Sequence, residues 1–218
     1  TIPAVFISKE KGDLLIAEMA NGPVNVKLEV PSNLYLYADG DFDNVIIGHE
    51  YGHGISNRLV GGGLAGGMNN FEQMGEGWSD WFGLMSQIKA GETGAEPKEI
   101  GTYVINQPTN GFGIRAFPYS LDMTLNPRTF ADSNAPIPTD PADTAHRYVV
   151  GEFWTSCLWD LTWRYIQKYG FDPDILNGTG GNNKVMRLVI DALKLETSGQ
   201  TNIVAGRNNL FAADQATT

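Results

Sequence analysis

Two of the three histidines, His49 and His53, stand four residues apart and bracket a glutamate in His49-Glu50-Tyr51-Gly52-His53. At this composition about 0.002 strings of the pattern H-E-x-x-H are expected by chance, so the spacing asks for a chemical reason. On a helix, residues four apart share a face about 6 Å along the axis, and two imidazoles can converge on one ion. Zinc suits such donors, because imidazole and carboxylate both bind it and three protein ligands leave one position for water. The metal draws the pKa of that water towards neutrality, and a carboxylate beside it takes the proton. The resulting nucleophile attacks a polarised carbonyl, which is amide hydrolysis.

A third ligand is needed, and Gly75-Glu76-Gly77-Trp78-Ser79-Asp80 offers two carboxylates four residues apart. One of them binds the metal while the other accepts the free N–H of a ligating imidazole, His49 for preference. The longer pattern H-E-x-x-H-x-x-G-x-x-H requires a histidine at position 59; Leu59 stands there, so that branch is excluded.

These residues must be positioned by helices. Asp39, Asp41 and Asp43 precede Val45-Ile46-Ile47 and predict a helix over about 43–59, stopped by Gly61-Gly62-Gly63. The same trio could suggest calcium, but helix capping explains it. A second helix is predicted over 72–90, with Met74, Trp78, Trp81, Phe82 and Met85 as its apolar stripe and Gly91 as cap. Residues 92–145, rich in Pro, Gly, Asn and Asp, read as irregular with a short strand at 102–105, and long loops of this kind are usually functional. Further helices are predicted over 146–169, ended by Gly170, over 183–195, and more weakly over 202–214. Ahead of all these, residues 4–8, 10–20 and 24–30 read as strand, helix and strand. The fold class is therefore mainly α with a small N-terminal βαβ piece.

Composition narrows the partners. The chain has 218 residues, 42% of them apolar, enough for one sizeable core. A net charge of −10 is the wrong sign for neutralising phosphates or anionic lipid, so nucleic acid and membrane surfaces are not expected as partners. No apolar run approaches the ~18 residues of a membrane span. With Cys157 as the single cysteine no internal disulfide is possible, and its thiol reads as a small buried apolar group.

The run His49-Glu50-Tyr51-Gly52-His53-Gly54-Ile55-Ser56-Asn57-Arg58-Leu59, followed by Met74-Gly75-Glu76-Gly77-Trp78-Ser79-Asp80, closely resembles the fungalysin family of secreted zinc metalloendopeptidases, relatives of thermolysin. Pro118-Tyr119-Ser120, Asp122-Met123, Asn126-Pro127, Gly151-Glu152, Trp154 and Leu158-Trp159-Asp160-Leu161 extend the likeness, which covers roughly residues 39–216. The resemblance implies zinc held by His49, His53 and Glu76, with Glu50 as general base and Asp80 behind the ligands. It implies a helical, thermolysin-like C-terminal subdomain over 38–218, a protein or peptide substrate, and secretion to the extracellular space. Residues 2–30 resemble the end of a protease-associated domain, inserted upstream of the metal helix in some bacterial fungalysin-like proteins, so 1–37 reads as its remnant.

The resemblance also raises points of departure. Thermolysin-like sites use a His or Tyr across the cleft to stabilise the oxyanion. His146 suits that role, yet the family pattern places its His three residues before the Gly-Glu pair, where Tyr148 stands; an insertion of two residues or a Tyr replacement would each explain this. Arg207-Asn208-Asn209 stands where the family shows Arg-Asp-Ala. The sheet that holds the substrate backbone in such enzymes has no convincing equivalent before residue 43. Either Leu34-Tyr35-Leu36-Tyr37 replaces it or the cleft is completed by the N-terminal half of the same protease, and the second reading is favoured. The leading expectation is a zinc endopeptidase; the alternative is a catalytically idle metal-binding or interaction fragment in which the zinc is structural.

Overall fold

The computed structural model describes residues 8–27, 39–62, 74–134, 148–197 and 201–217. Among them the regular structure is helical: six α-helices, two short 3₁₀ turns and a single antiparallel bridge between Lys98 and Tyr119. The chain divides into two compact units, Thr1–Leu36 and Tyr37–Thr218.

In the first unit, α1 (Lys9–Met19) starts where the Ser8 side chain accepts the Lys11 N–H at 3.3 Å. The strand expected at 24–30 is absent over 24–27, where the backbone is irregular. Residues 28–30, most of the strand expected at 4–8, and Leu34 to Tyr37 lie outside the described residues.

The second unit begins with two of the three aspartates, Asp39 and Asp43, at work as caps. Asp39 accepts the Asp41 N–H and starts the 3₁₀ turn Gly40–Phe42, and Asp43 accepts the N–H groups of Val45 and Ile46 to start α2 (Asn44–Leu59). Helix α2 stops at Val60, which is extended; Gly61 follows with φ 75° and donates its N–H to the Glu196 carbonyl.

Helix α3 (Met74–Met85) is shorter than its apolar pattern suggests. Ser86 bonds back to the Gly83 carbonyl through both its N–H and its hydroxyl, and the Gln87 N–H reaches Leu84. These tightened bonds end the helix five residues early and turn Ile88 into the core, so Gly91 does not cap it. Ten of its twelve residues are buried, Gly75, Gly77, Ser79 and Asp80 included, so α3 is enclosed all round rather than amphipathic.

Helix α4 (Val149–Tyr169) lies on the other side of α3 and ends at Gly170, whose φ of 78° a side chain would resist. Then α5 (Gly181–Leu195) packs on α4, and α6 (Ile203–Thr217) packs on α5. Trp81, Trp159 and Trp163 fill the core between α3 and α4. Residues 102–106, expected to contain a strand, form a turn instead: Gln107 donates its N–H to the Thr102 carbonyl, and Asn106 adopts φ 57°.

Candidate metal centre

The site is built on the crossing of α2 and α3, where small residues let two backbones approach. A Cβ on Gly52 would stand 2.7 Å from the Ser79 Cα, and one on Gly48 would stand 2.9 Å from the Gly83 Cα. Side chains one helix face away from this contact therefore meet across a short gap.

Those side chains are His49, His53 and Glu76. The two Nε2 atoms lie 3.1 Å apart, His49 Nε2 lies 3.3 Å from Glu76 Oε2, and His53 Nε2 lies 3.5 Å from Glu76 Oε1. Ligands about 2.0–2.1 Å from a tetrahedral ion are separated by roughly 3.3 Å, so the triangle has the size zinc requires. Among the described residues this is the one group of three His, Cys, Asp or Glu side chains close enough to share an ion.

Asp80, expected behind the ligands and only 1% exposed, accepts from His49 Nδ1 at 2.7 Å. That bond puts the ring proton on Nδ1 and leaves Nε2 facing His53 and Glu76. The same carboxylate accepts from Arg115 Nε and Nη2 at 2.7 and 2.8 Å and from the Tyr119 hydroxyl at 2.6 Å. Arg115 also reaches Glu76 Oε2 at 3.4 Å and lies 4.4 Å above the Tyr148 ring.

Electrostatics follow from this packing. Burial disfavours a charged Asp80, but the His49 and Arg115 hydrogen bonds overcome it and hold the carboxyl at about 2. Burial likewise opposes a charged His49, yet Asp80 and Glu76 raise it to about 9. Without a metal, the protonated ring donates from Nδ1 to Asp80 and from Nε2 to Glu76, the Nε2 proton standing in the place a divalent cation would take. Burial lowers His53, keeping its imidazole in the neutral, metal-binding form. Glu76 is held low, its desolvation outweighed by the His49 hydrogen bond.

The three side chains and Glu50 line one cavity of about 290 Å³, with Ile46, Ile114 and Arg115 on its walls. Tyr148 lines it too, whereas His146 lies outside the described residues. Arg115 and Tyr119 were not legible as site residues. They come from the aperiodic stretch between α3 and α4, and although Tyr119 falls within the family resemblance, spacing assigns it no role. Cys157 is half-buried, and desolvation together with the Asp160 charge pushes its thiol up to about 11.

Residues 23–218 match the model of the fungalysin metallopeptidase (M36) family. The chain belongs to the fungalysin family. Extracellular metalloproteinase MEP of Fusarium vanettenii is 36% identical over 193 residues, covering 83% of this chain and 28% of that protein. Extracellular metalloproteinase 2 of Arthroderma gypseum is 35% identical over 189 residues, with the same coverages of 83% and 28%. For extracellular metalloproteinase mep of Aspergillus flavus the figures are 33% over 205 residues, 90% and 30%. The chain thus spans less than a third of the length of these fungalysin relatives. They are fungal, and give no support to residues 2–30 being the tail of a bacterial type of inserted domain.

Proposed function

We propose that this chain carries the metal-binding core of an extracellular zinc endopeptidase that hydrolyses internal peptide bonds. The reading is carried by one observation: His49, His53 and Glu76 present their ligand atoms 3.1–3.5 Å apart in a cavity that Glu50 also lines. Bound there, zinc supplies a Lewis acid that lowers the pKa of water and polarises a peptide carbonyl. Asp80 holds His49 in the ligating orientation through its Nδ1–H. Glu50 takes a proton from water at its carboxylate and returns it to the leaving amine. Ile46 and Ile114 give the cavity an apolar wall suited to an aliphatic or aromatic substrate side chain.

A further segment of the same protein completes the cleft in this reading. Two observations favour it: the chain spans under a third of its relatives, and α2 leaves Ile47 46% and Tyr51 74% exposed beside Glu50. Extracellular action is inferred from the names of the relatives; no helix among the described residues is long and apolar enough to cross a membrane.

The test is Glu50→Gln in the full-length protein. Zinc content should match the parent while casein hydrolysis falls by about 10²–10⁴-fold, the range for a lost general base. A Gln variant of normal activity rejects Glu50 as base. A parent that binds zinc firmly yet cleaves no peptide supports the structural-zinc alternative instead.

A further inference from the structure

Gly151-Glu152 and Asn126-Pro127 belong to the motifs that carry the family resemblance, yet the metal centre as described makes no use of them. Glu152, in the first turn of α4, is 3% exposed. Its Oε1 accepts the Ala116 N–H at 3.2 Å, and its Oε2 accepts from Arg128 Nη2 at 2.6 Å and Nε at 3.1 Å. Arg128, whose backbone N–H donates to Asn126 Oδ1 at 3.3 Å, also lies 5.1 Å from the centre of the Phe117 ring. Asn126 itself donates to Ser156 on α4.

Three successive residues are therefore gripped by different parts of the fold. Asp80 and the Tyr148 ring hold the Arg115 side chain, Glu152 holds the Ala116 backbone, and Arg128 covers Phe117. A planar guanidinium fork meets a carboxylate only over a narrow range of positions, so its backbone must be fixed as well as its tip. A buried ion pair is weak support for stability alone, because well-packed apolar residues of similar volume do as well or better.

We propose that Glu152, with Arg128 as its counter-ion, is a positioning residue for the metal centre: by fixing the backbone at Ala116 it lets Arg115 meet Asp80, and through Asp80 it orients His49. This role rests on the zinc reading above.

Charge-neutral pairs of substitutions in the full-length protein test it. Glu152→Leu with Arg128→Met removes the acceptor for Ala116 without leaving a buried charge unpaired; Glu152→Gln with Arg128→Met keeps an oxygen for that N–H. Zinc dissociation constants are measured by chelator competition, and Tm is measured on the metal-free proteins. The first pair should bind zinc about tenfold more weakly, the lower end of the effect of outer partners of a ligand, and the second should recover most of that loss. Thr162→Val, which breaks the Trp81–Thr162 hydrogen bond between α3 and α4, should lower Tm without weakening zinc. If the Glu152→Leu pair does not fold, Arg128→Lys, which keeps the charge but loses the fork, should weaken zinc in its place.

The proposal is overturned if the first pair holds zinc as tightly as the parent, if the Gln pair is no better than the Leu pair, if Arg128→Lys leaves zinc affinity unchanged, or if Thr162→Val weakens zinc equally. A parent that takes up no zinc overturns the metal-site reading itself, and this role with it.

Discussion

At the scale of single residues, Asp80 is where the site and its surroundings join. Its two oxygens receive an imidazole, a guanidinium fork and a phenol while almost fully buried. Asp80→Ala should therefore weaken zinc by about 10–100-fold in chelator competition. It also leaves Arg115 buried without its main partner, a change that costs about 3–5 kcal/mol in other proteins and is measurable here by denaturant unfolding. The pH dependence has a definite sign. The folded carboxyl sits at about 2 against 3.8 unfolded, so its contribution to stability is complete above 3.8 and is lost as pH falls towards 2. Acid unfolding of the metal-free protein should show that loss, and Asp80→Asn should flatten the curve over that window; an unchanged curve would mean the carboxyl is not held low. His49, His53 and Glu50 were legible because helix period alone brings such residues together. Arg115 and Tyr119 were hidden because only the folded path of an aperiodic loop delivers them to Asp80.

Among elements, the crossing of α2 and α3 decides whether the ligands meet. Gly52 and Gly54 share one helix and differ by two positions, yet a Cβ at 52 collides with the Ser79 backbone while one at 54 finds open space. Gly54→Ala should raise Tm, since Ala is favoured over Gly in an exposed helix by about 1 kcal/mol. Gly52→Ala should lower both Tm and zinc affinity by forcing the helices apart. Equal effects at the two positions would remove the crossing from the account. The elements themselves were legible: the acidic caps before α2, Gly170 after α4 and the spacing of four between Val185, Val189 and Leu193 in α5 all act locally. The end of α3 was not, because the turn at Ser86 answers to where Ile88 must be buried rather than to a breaker in the chain. The strand expected at 102–105 failed for a related reason. Gly101 at φ 73° and Asn106 at φ 57° favour a closed turn over an extended run.

For the unit Tyr37–Thr218 as a whole, the order of packing is α2 on α3, α3 on α4, α4 on α5 and α5 on α6. That order was not legible from spacing, which identifies apolar faces but not their partners. It has a thermodynamic consequence, because His49 and His53 lie on α2 and Glu76 on α3, while the tryptophan-rich core lies beyond α3. Zinc held there would tie α2 to α3 and would contribute stability in proportion to the logarithm of its concentration over Kd. Helix α2 keeps Ile47 and Tyr51 exposed, approaches α3 through glycines, and leaves Val45, Ile46, Ile55 and Leu59 only partly buried against the core. Chelation should then raise amide hydrogen exchange in α2 well before α4 and α5, and only a smaller part of the loss should appear as global unfolding. Uniform deprotection of all these helices on chelation would instead make the unit a single cooperative block in which zinc has no local role.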